Sequence, residues 1–355
     1  MDLSGRGLRS ACALPGLFAD HYLPHALHGA DAIWPQANGQ ADVWIEVLAQ
    51  LGLDPLALWP CTIALDFLGD QWTHFTPSPT ELRALYGIDV QELAVWRPLA
   101  EHAIEHLSAA RPLHLEADAF WLPGPGHRRH HAKTTIVLNE LDLDARRIGC
   151  FHGAGYVEVR GDDVAHLLGL EDDASALEAI ADWRGSRVAE VGAAAVALAE
   201  GHLPPLAAVI RTERRVARST DELQMLALHH LASQVAFRPF TNPVRRFADR
   251  LADDLPLLRE YGQGYAESWA SATVRQLGAA FELAARGLAW QQAPAHSPLH
   301  QAARAFEQLA RESKALMQKL ERAVSSPRSA DLSPLLDTMA QAWENGIHAI
   351  ESVRT

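Results

Sequence analysis

The stretch Lys133-Thr-Thr-Ile-Val-Leu-Asn139 is rich in β-branched residues and predicts a strand. Before it, Pro112 to Phe120 alternates apolar residues with polar ones, which is typical of a half-buried strand. After it, Asp142 to Arg146 resembles a hairpin turn, and Ile148 to Phe151 is predicted to be the returning strand. Tyr156 to Val159 predicts one more short strand. The middle of the chain is therefore rich in β-structure.

Helical patterns lie on both sides of this β-rich section. Asn38 is a good N-cap for a helix from Gly39 to Leu51, whose apolar residues fall on one stripe. Shorter helices are predicted at Pro77 to Tyr86 and at Glu92 to Ala109, and Pro98 should bend the second of these or mark a fresh start. A strand-like run lies at Thr62 to Phe67. From about residue 175 the pattern is almost wholly helical. Its amphipathic segments are Val188 to Glu200, Thr220 to Phe237, Ser268 to Trp290, His300 to Val324 and Leu332 to Val353.

These patterns predict an α+β fold with two domains. Residues 1–172 are expected to form the mixed domain, and residues 173–355 a helical bundle that packs against it. A chain of 355 residues is long enough for two such domains. Apolar residues at 48% and charged residues at 21% are an ordinary globular composition.

Charge and hydropathy argue against several classes of function. The formal charge of −13 disfavours a nucleic-acid partner, and short basic clusters such as Arg211–Arg215 and Arg245–Arg246 do not make a basic face. The chain has no run of about 18 uncharged apolar residues, so we predict no membrane partner. Met1 to Asp20 lacks a continuous hydrophobic segment, so no signal peptide is predicted. Three scattered cysteines do not make a disulfide framework, and we predict a cytoplasmic location.

His131, immediately before the strand that starts at Lys133, is the leading candidate for a catalytic base. Imidazole exchanges protons near neutral pH, and a carboxylate on its second nitrogen would fix the tautomer. Asp142 or Asp144, at the far end of the strand, is the predicted partner. In papain-like folds a nucleophile at a helix N-terminus precedes such a histidine, because the helix dipole stabilises a thiolate. That position here is Gly39, so the expected sulfur is missing.

Other readings of these residues stay open. His131 is alternatively a strand-edge histidine bonded to the backbone. Cys61 and Cys150 are possible replacement thiols, although a buried free cysteine is usually an inert small hydrophobe. A metal site is a weaker alternative, because the tight spacing of a metal motif is absent. Its candidate ligands are His127, His130, His131, His152, Asp118, Asp66, Asp70 and His74.

In the helical half, Arg275-Gln-Leu-Gly-Ala-Ala-Phe-Glu-Leu283 has charged and amide side chains at a spacing that turns polar groups inward. This segment has two interpretations: one is an internal salt bridge or a cap on the front domain, and the other is a substrate contact from the helical bundle. Most indoles, Trp72 among them, fall on apolar faces and are expected in the core.

Taken together, these segments resemble a bacterial family known as domain of unknown function 1839. They extend from about residue 20 to residue 325 and so cover most of the chain. The segments that carry the resemblance are Val43-Trp-Ile-Glu-Val-Leu48, Asp66-Phe-Leu-Gly-Asp-Gln-Trp72, Leu85-Tyr-Gly-Ile-Asp-Val90, Glu116-Ala-Asp-Ala-Phe120, His131-Ala-Lys-Thr-Thr-Ile136, Phe151-His-Gly-Ala-Gly-Tyr156 and Arg275-Gln-Leu-Gly-Ala-Ala-Phe-Glu-Leu283.

The resemblance implies a papain-like front domain similar to the butirosin-biosynthesis acyltransferase, which moves an aminoacyl group from a carrier-protein thioester to an amine. The implied partners are an acyl or aminoacyl carrier protein with a phosphopantetheine arm, encoded nearby, and a small-molecule amine of specialised metabolism. His131 matches the motif histidine, with Asp142, Asp144 and His152 as candidate orienting partners. The family pattern has Asn-Cys-Tyr where this chain has Asn38-Gly39-Gln40.

Three hypotheses for the function follow. The first is acyl or aminoacyl transfer with His131 as general base, for which we predict neither a cofactor nor a metal. Its expected substrate-binding residues are Asp70, Gln71, Trp72, Lys133, His152 and Arg275. The second is a catalytically degenerate protein that binds a carrier or another partner, a pseudoenzyme that lacks the cysteine at position 39. The third is a metal-dependent hydrolase.

Overall fold

The computed structural model describes residues 8–96, 98–124, 128–129, 131–169, 207–326 and 331–353. Contacts divide the chain into two compact units. The sheet unit contains Met1–His25, Asp42–Leu51 and Gly87–Val216. The helical unit contains Ala26–Ala41, Gly52–Tyr86 and Ala217–Thr355.

The strands follow the alternating segments of the sequence. All pairs are antiparallel, and the main sheet has the order β4-β9-β5-β6-β7-β8, with β1 paired to the far end of β6. A separate hairpin, β2–β3, belongs to the helical unit. The strands are β1 (Ser10–Cys12), β2 (Phe67–Leu68), β3 (Gln71–Trp72), β4 (Asp89–Glu92), β5 (Leu113–Asp118), β6 (Lys133–Asp142), β7 (Arg147–His152), β8 (Gly155–Arg160) and β9 (Ala207–Arg211).

The helices dominate the C-terminal region, where α9 packs against both α8 and α10. The α-helices are α1 (Gly39–Gln50), α2 (Pro79–Tyr86), α3 (Leu99–Ser108), α4 (Asp162–Leu168), α5 (Thr220–Ala236), α6 (Pro243–Tyr261), α7 (Gln263–Ala272), α8 (Val274–Trp290), α9 (Pro298–Ser325) and α10 (Ser333–Glu351). Short 3-10 helices lie at Ala19–His21, Ala26–His28, Pro55–Ala57, Trp59–Ala64 and Ala119–Trp121.

The register of β5 on β6 determines which side chains share a face of the sheet. Leu113 lies opposite Leu138, and the pairing continues to Asp118 opposite Lys133. Because side chains alternate along a strand, one face carries the apolar residues that form the core with α3 and α4. The opposite face carries His114, whose ring stacks on Trp44 of α1 at a centroid distance of 6.2 Å.

The α+β class is confirmed: the N-terminal part contains the antiparallel sheet and the C-terminal region is helical. The helix predicted from Gly39 begins there, and Asn38 caps it. In the segment predicted from Glu92 to Ala109, the helix begins at Leu99, so Pro98 marks a fresh start, as one of the two predicted effects of this proline, because proline is accepted at a helix start but not in its interior. The prediction of a strand at Thr62 to Phe67 is wrong over most of its length, since Trp59–Ala64 is a 3-10 helix.

Several elements have no counterpart in the sequence-based prediction, β9 and α6 among them, and one predicted helix is divided. The sequence analysis predicts neither the strand β9 nor the helix α6, although Asn242 caps α6 and Pro243 occupies its first turn. The segment predicted as one helix from Ser268 to Trp290 is interrupted at Thr273, between α7 and α8. The predicted helix at Val188 to Glu200 lies outside the described residues.

The predicted domain boundary after residue 172 also lies outside the described residues and stays a prediction. The two compact units interleave along the chain, because β9 joins the sheet unit from beyond that boundary and Gly52–Tyr86 belongs to the helical unit. The papain-like character of the front part and the packing of a helical bundle against it also stay predictions.

His114 makes the stability of the fold sensitive to acid. Burial lowers the pKa of His114 to about 4, and the nearby Glu116 only partly offsets this. A histidine in an unfolded chain has a pKa of about 6.5. At a pH between these two pKa values, His114 is therefore protonated in the unfolded chain and neutral in the folded chain. The free energy of unfolding should therefore fall by about 1 to 3 kcal/mol as the pH drops from 7 to 4.

Urea unfolding of the full-length chain at pH 7 and at pH 4 measures this loss. The variant His114→Leu should lose less stability over that interval than the wild type, because it has no imidazole to protonate. His21→Gln, at an exposed position of the sheet unit, should lose as much as the wild type. An equal loss in His114→Leu and the wild type would contradict the assignment.

Candidate functional site

The strongest chemical feature of the sheet unit is a histidine–aspartate pair at the end of the β5–β6 ladder. His131 Nδ1 lies 2.5 Å from Asp118 Oδ2. The second carboxylate oxygen of Asp118 accepts hydrogen bonds from the backbone N–H groups of Phe120 and Ala132, at 3.0 and 3.1 Å. The carboxylate is thus held in place by the backbone, and it favours the tautomer with the proton on Nδ1. That tautomer leaves Nε2 able to accept a proton.

Aromatic side chains contact the imidazole of His131. Phe120 stacks on His131 with a centroid distance of 4.1 Å and an interplanar angle of 14°. The indole of Trp121 meets the same imidazole edge-on at 6.2 Å, and it stacks on His166 at 3.8 Å. The side chains of His131 and Asp118 nevertheless keep 28% and 34% of their surface exposed. The pair is therefore both positioned and accessible to a ligand.

The partner of His131 differs from the predicted one. Asp142 Oδ1 accepts hydrogen bonds from the N–H groups of Asp144 and Ala145 in the turn between β6 and β7, and Asp144 forms an ion pair with Arg9. A strand advances about 3.3 Å per residue, so these carboxylates lie roughly 30 Å along β6 from His131. The prediction that Asp142 or Asp144 orients His131 is therefore wrong. The carboxylate that contacts its imidazole is that of Asp118.

Gly39 occupies the first turn of α1, as predicted, and brings no nucleophile to it. Asn38 Oδ1 accepts from the N–H groups of Gln40 and Ala41 at 3.1 and 2.9 Å, and its Nδ2 donates to the carbonyl of Phe75 at 3.0 Å. Gly39 belongs to the helical unit and His131 to the sheet unit. That Gly39 lies close to His131 stays a prediction.

The surroundings of the three cysteines do not favour a replacement nucleophile. Burial raises the pKa of the Cys150 thiol to about 12, and burial next to Glu81 raises the pKa of Cys61 well above its usual range. Cys12 is exposed, and its pKa is also raised, chiefly by partial burial and then by Glu140. All three thiols are therefore protonated near neutral pH, whereas the nucleophilic form of cysteine is the thiolate.

The motif Asp66 to Trp72 serves to anchor the β2–β3 hairpin in the helical unit. Asp66 forms an ion pair with Arg246 at 2.5 Å, and Trp72 is buried against Phe67 and Phe247 at centroid distances of 5.1 and 5.6 Å. The predicted role of Trp72 in binding substrate is corrected, because its indole is a core side chain. Asp70 and Gln71 are exposed at the turn, where their binding role stays a prediction.

The motif Arg275 to Leu283 likewise has a structural role inside the helical unit. Glu282 is buried and accepts hydrogen bonds from the N–H groups of Ile33 and Trp34 at 2.8 and 2.6 Å. A Cβ atom on Gly278 would lie 2.4 Å from the indole nitrogen of Trp34, so only glycine allows this approach. Arg275 Nε donates to the carbonyl of Ser271, one turn earlier. Glu282 also forms an ion pair with Arg286 at 3.1 Å, which is an internal salt bridge of the predicted kind. A cap on the front domain and substrate binding by Arg275 stay predictions.

Two of the predicted binding residues lie on strands that follow the dyad in the sheet, Lys133 on β6 and His152 on β7. Lys133 is the register partner of Asp118, and its ammonium group pairs with Glu116. His152 Nε2 lies 3.3 Å from Thr134 Oγ1. Burial lowers the pKa of His152, and the charge of Asp42 partly opposes this. Lys133 is therefore a near neighbour of the dyad, whereas His152 lies farther along the ladder, where it pairs with Ile136.

Sequence reasoning missed three members of this site. Asp118 was considered only as a metal ligand, and Phe120 and His166 were given no role. The available signal was the pairing of two predicted strands: a β5 that ends near Asp118 and a β6 that starts at Lys133 form an antiparallel pair whose ends meet. Trp121, expected in the core, is half-buried and stacks on His166 instead.

Comparison with protein families agrees with the resemblance found in the sequence. The DUF1839 N-terminal domain matches residues 23–182, and the DUF1839 C-terminal domain matches residues 220–352. The chain belongs to this family. A search of curated proteins finds no significant match.

In the part of the chain that the structure describes, no helix combines the length and the apolar character that crossing a bilayer requires. Within the same residues, no group of three or more histidine, cysteine, aspartate or glutamate side chains is arranged to hold a metal ion. Two of the proposed ligands, His127 and His130, lie outside the described residues.

The thiol environments predict slow alkylation of the native protein. Iodoacetamide should modify Cys12 slowly at pH 7, faster as the pH rises through 9, and should leave Cys150 unmodified, because alkylation requires the thiolate and access to it. Peptide mass spectrometry measures the three rates. In urea all three cysteines should react like free cysteine, which is the control. A cysteine that reacts at pH 6.5 faster in the native protein than in urea would contradict the assignment and identify a nucleophile.

Proposed function

We propose that this protein transfers an acyl or aminoacyl group from a carrier-protein thioester to a small-molecule amine in specialised metabolism. The observation that carries the proposal is the pair formed by His131 and Asp118, fixed by two backbone amides and by the ring of Phe120. A histidine oriented by a carboxylate is a common general base in acyl transfer. The free thiols suit a reducing compartment, so we place the reaction in the cytoplasm.

The proposed step is a direct attack of the amine on the thioester. Nε2 of His131 takes a proton from the attacking nitrogen as the new C–N bond forms, and Asp118 stabilises the imidazolium that results. The C–S bond then breaks, and the imidazolium returns its proton to the departing phosphopantetheine sulfur. The products are an amide and a free thiol on the carrier, and no oxidant or reductant is needed.

A thiol nucleophile is not required for this reaction. A covalent intermediate on cysteine divides a difficult acyl transfer into two easier steps, but a thioester is already an activated acyl group. Gly39 stands at the position of the family's cysteine, and the three cysteines of the chain are held as protonated thiols. Among the described side chains, the geometry of His131 and Asp118 supports general-base catalysis by His131.

The substrate-binding set is narrower than the sequence predicts. Lys133 is the member closest to the dyad by strand register, and its exposed ammonium group suits an anionic acyl chain or the phosphate of the carrier arm. We keep Asp70, Gln71, His152 and Arg275 as proposed binding residues. Trp72 is excluded by its burial in the core.

A catalytically degenerate protein that binds a carrier or another partner is the second candidate. Gly39 favours it, because the residue that would perform thiol chemistry is absent while the helix cap that presents it, Asn38, is intact. This candidate predicts that the carrier binds without turnover. It also predicts that binding survives His131→Ala.

The deciding experiment mixes the purified protein with an aminoacyl-loaded carrier and a panel of amines and follows the thioester by intact-protein mass spectrometry. The wild type should deplete the thioester. His131→Ala should slow this by roughly 100-fold or more, and Asp118→Asn by at least about tenfold, because the base or its orientation is lost. His21→Ala, an exposed histidine in the same unit, is the matched control and should keep full activity.

The outcomes separate the two candidates. Depletion no faster than in buffer would contradict the transferase, and binding that persists in His131→Ala would then favour the degenerate protein. Depletion that is equally fast in His131→Ala would show that the dyad is not the base.

A further inference from the structure

Helix α4 contacts the segment that joins β5 to β6 and carries His131. Asp163 on α4 forms an ion pair with Arg128 of this segment, with 2.6 Å between Oδ1 and Nη2. His166, one turn later, stacks on Trp121 at a centroid distance of 3.8 Å and an interplanar angle of 13°. Residues three apart on a helix share a face, so both contacts come from one side of α4. The proposed proton transfer uses neither of these two α4 residues.

The position of α4 is itself fixed by the sheet. Val164, Leu167 and Leu168 are buried in the apolar core of the sheet unit, together with residues of α3 and of the strands. These three side chains anchor the helix, while Asp163 and His166 are only half-buried. The helix therefore offers the β5–β6 segment a support that is fixed relative to the strands.

Backbone hydrogen bonds hold the same segment against the end of β5. The N–H of Ala119 donates to the carbonyl of Ala132 at 2.8 Å, and the N–H of Arg128 donates to the carbonyl of Phe120 at 3.0 Å. Arg128 has a φ of +54°, a conformation that is uncommon for a residue with a Cβ atom and persists only where neighbouring contacts hold it. The ion pair with Asp163 is one such contact.

Trp121 connects α4 to the imidazole of the dyad. Its indole has His166 stacked on it and meets the ring of His131 edge-on at 6.2 Å. Phe120 stacks on the face of the same imidazole, and stacking on a face allows a ring to slide within its own plane. A contact at the edge of the ring limits this motion. The indole that His166 holds in place therefore helps to keep His131 aligned with Asp118.

We propose that His166 and Asp163 are positioning residues for the dyad. They hold the β5–β6 segment so that Nδ1 of His131 keeps its carboxylate partner and Nε2 points to one place. A catalytic group misplaced by about 1 Å loses much of its effect, so α4 should act on the rate of proton transfer and not on the affinity for substrate. The inference rests on the proposed function for this effect on rate, whereas the orientation of His131 can be measured without any transfer.

The tautomer of His131 in the full-length chain measures this orientation. In protein labelled with ¹⁵N-histidine, His166→Ala should raise the fraction of neutral His131 that carries its proton on Nε2 at least about twofold, because a looser imidazole is bonded to the carboxylate for less of the time. His166→Phe keeps an aromatic ring on Trp121 and should match the wild type. No rise in a folded His166→Ala, or an equal rise in His166→Phe, would overturn the proposal.

Two neighbouring aspartates provide a matched pair of variants that leaves the aromatic stack intact. Asp163→Ala removes the ion pair with Arg128, and Asp162→Ala removes an ion pair with Arg146 at 2.9 Å. Both take one carboxylate from the first turn of α4, so both lose a similar interaction with the helix dipole. Only Asp163→Ala should shift the tautomer of His131 towards Nε2. Equal shifts in the two variants would mean that α4 acts only through its own stability, which would overturn the positioning role.

Rates then connect the orientation to the proposed function. With an aminoacyl-loaded carrier as substrate, His166→Ala should lower kcat by about three- to tenfold and leave KM within about twofold, while His166→Phe should restore most of the rate. A raised KM with an unchanged kcat would overturn the positioning role. If the wild type depletes no thioester, the proposed function fails, and the tautomer measurements alone decide whether α4 positions His131.

Discussion

The register of β5 on β6 is the constraint on which the proposed site depends. It sets Asp118 opposite Lys133, so the residues that precede β6 return past the end of β5. The carboxylate of Asp118 then has three donors around it, two backbone N–H groups and the imidazole of His131. A slip of one residue would turn every side chain of the strand to the other face, and the pair would be lost together with the apolar core. Fold and site are therefore specified by the same pattern.

The family motifs divide into two kinds when their contacts are known. Glu116 to Phe120 and His131 to Ile136 supply the dyad and its aromatic support. Asp66 to Trp72 and Arg275 to Leu283 instead satisfy buried backbone and charged groups inside the helical unit. Glu282 illustrates the second kind, because a buried carboxylate is tolerated only when donors surround it. Polar residues in a motif therefore indicate a site only where their partners leave an atom accessible.

Elements that depend on neighbouring residues could be predicted from the sequence. Those that depend on contacts between distant residues could not. The helix from Gly39 was predictable because its cap, Asn38, and its apolar stripe lie within a few residues of each other. The strand β9 was not, because its five residues acquire a strand identity only by pairing with β4 and β5, which are distant in sequence. The prediction that Asp142 or Asp144 orients His131 failed for a related reason: His131 precedes β6, whereas Asp142 ends this strand and Asp144 follows it, and an extended strand keeps its two ends far apart. Asp118 could have been found from the pairing of two predicted strands.

The protonation pattern of His131 is the most direct measure of the dyad. In protein labelled with ¹⁵N-histidine, two-bond ¹H–¹⁵N correlation spectra distinguish the two neutral tautomers, and the variant His131→Gln identifies the signal. Asp118 accepts a hydrogen bond at Nδ1, so the neutral imidazole should carry its proton on Nδ1 and leave Nε2 free. A neutral imidazole with its proton on Nε2, or one that averages between the two tautomers, would contradict the oriented base at the centre of this account.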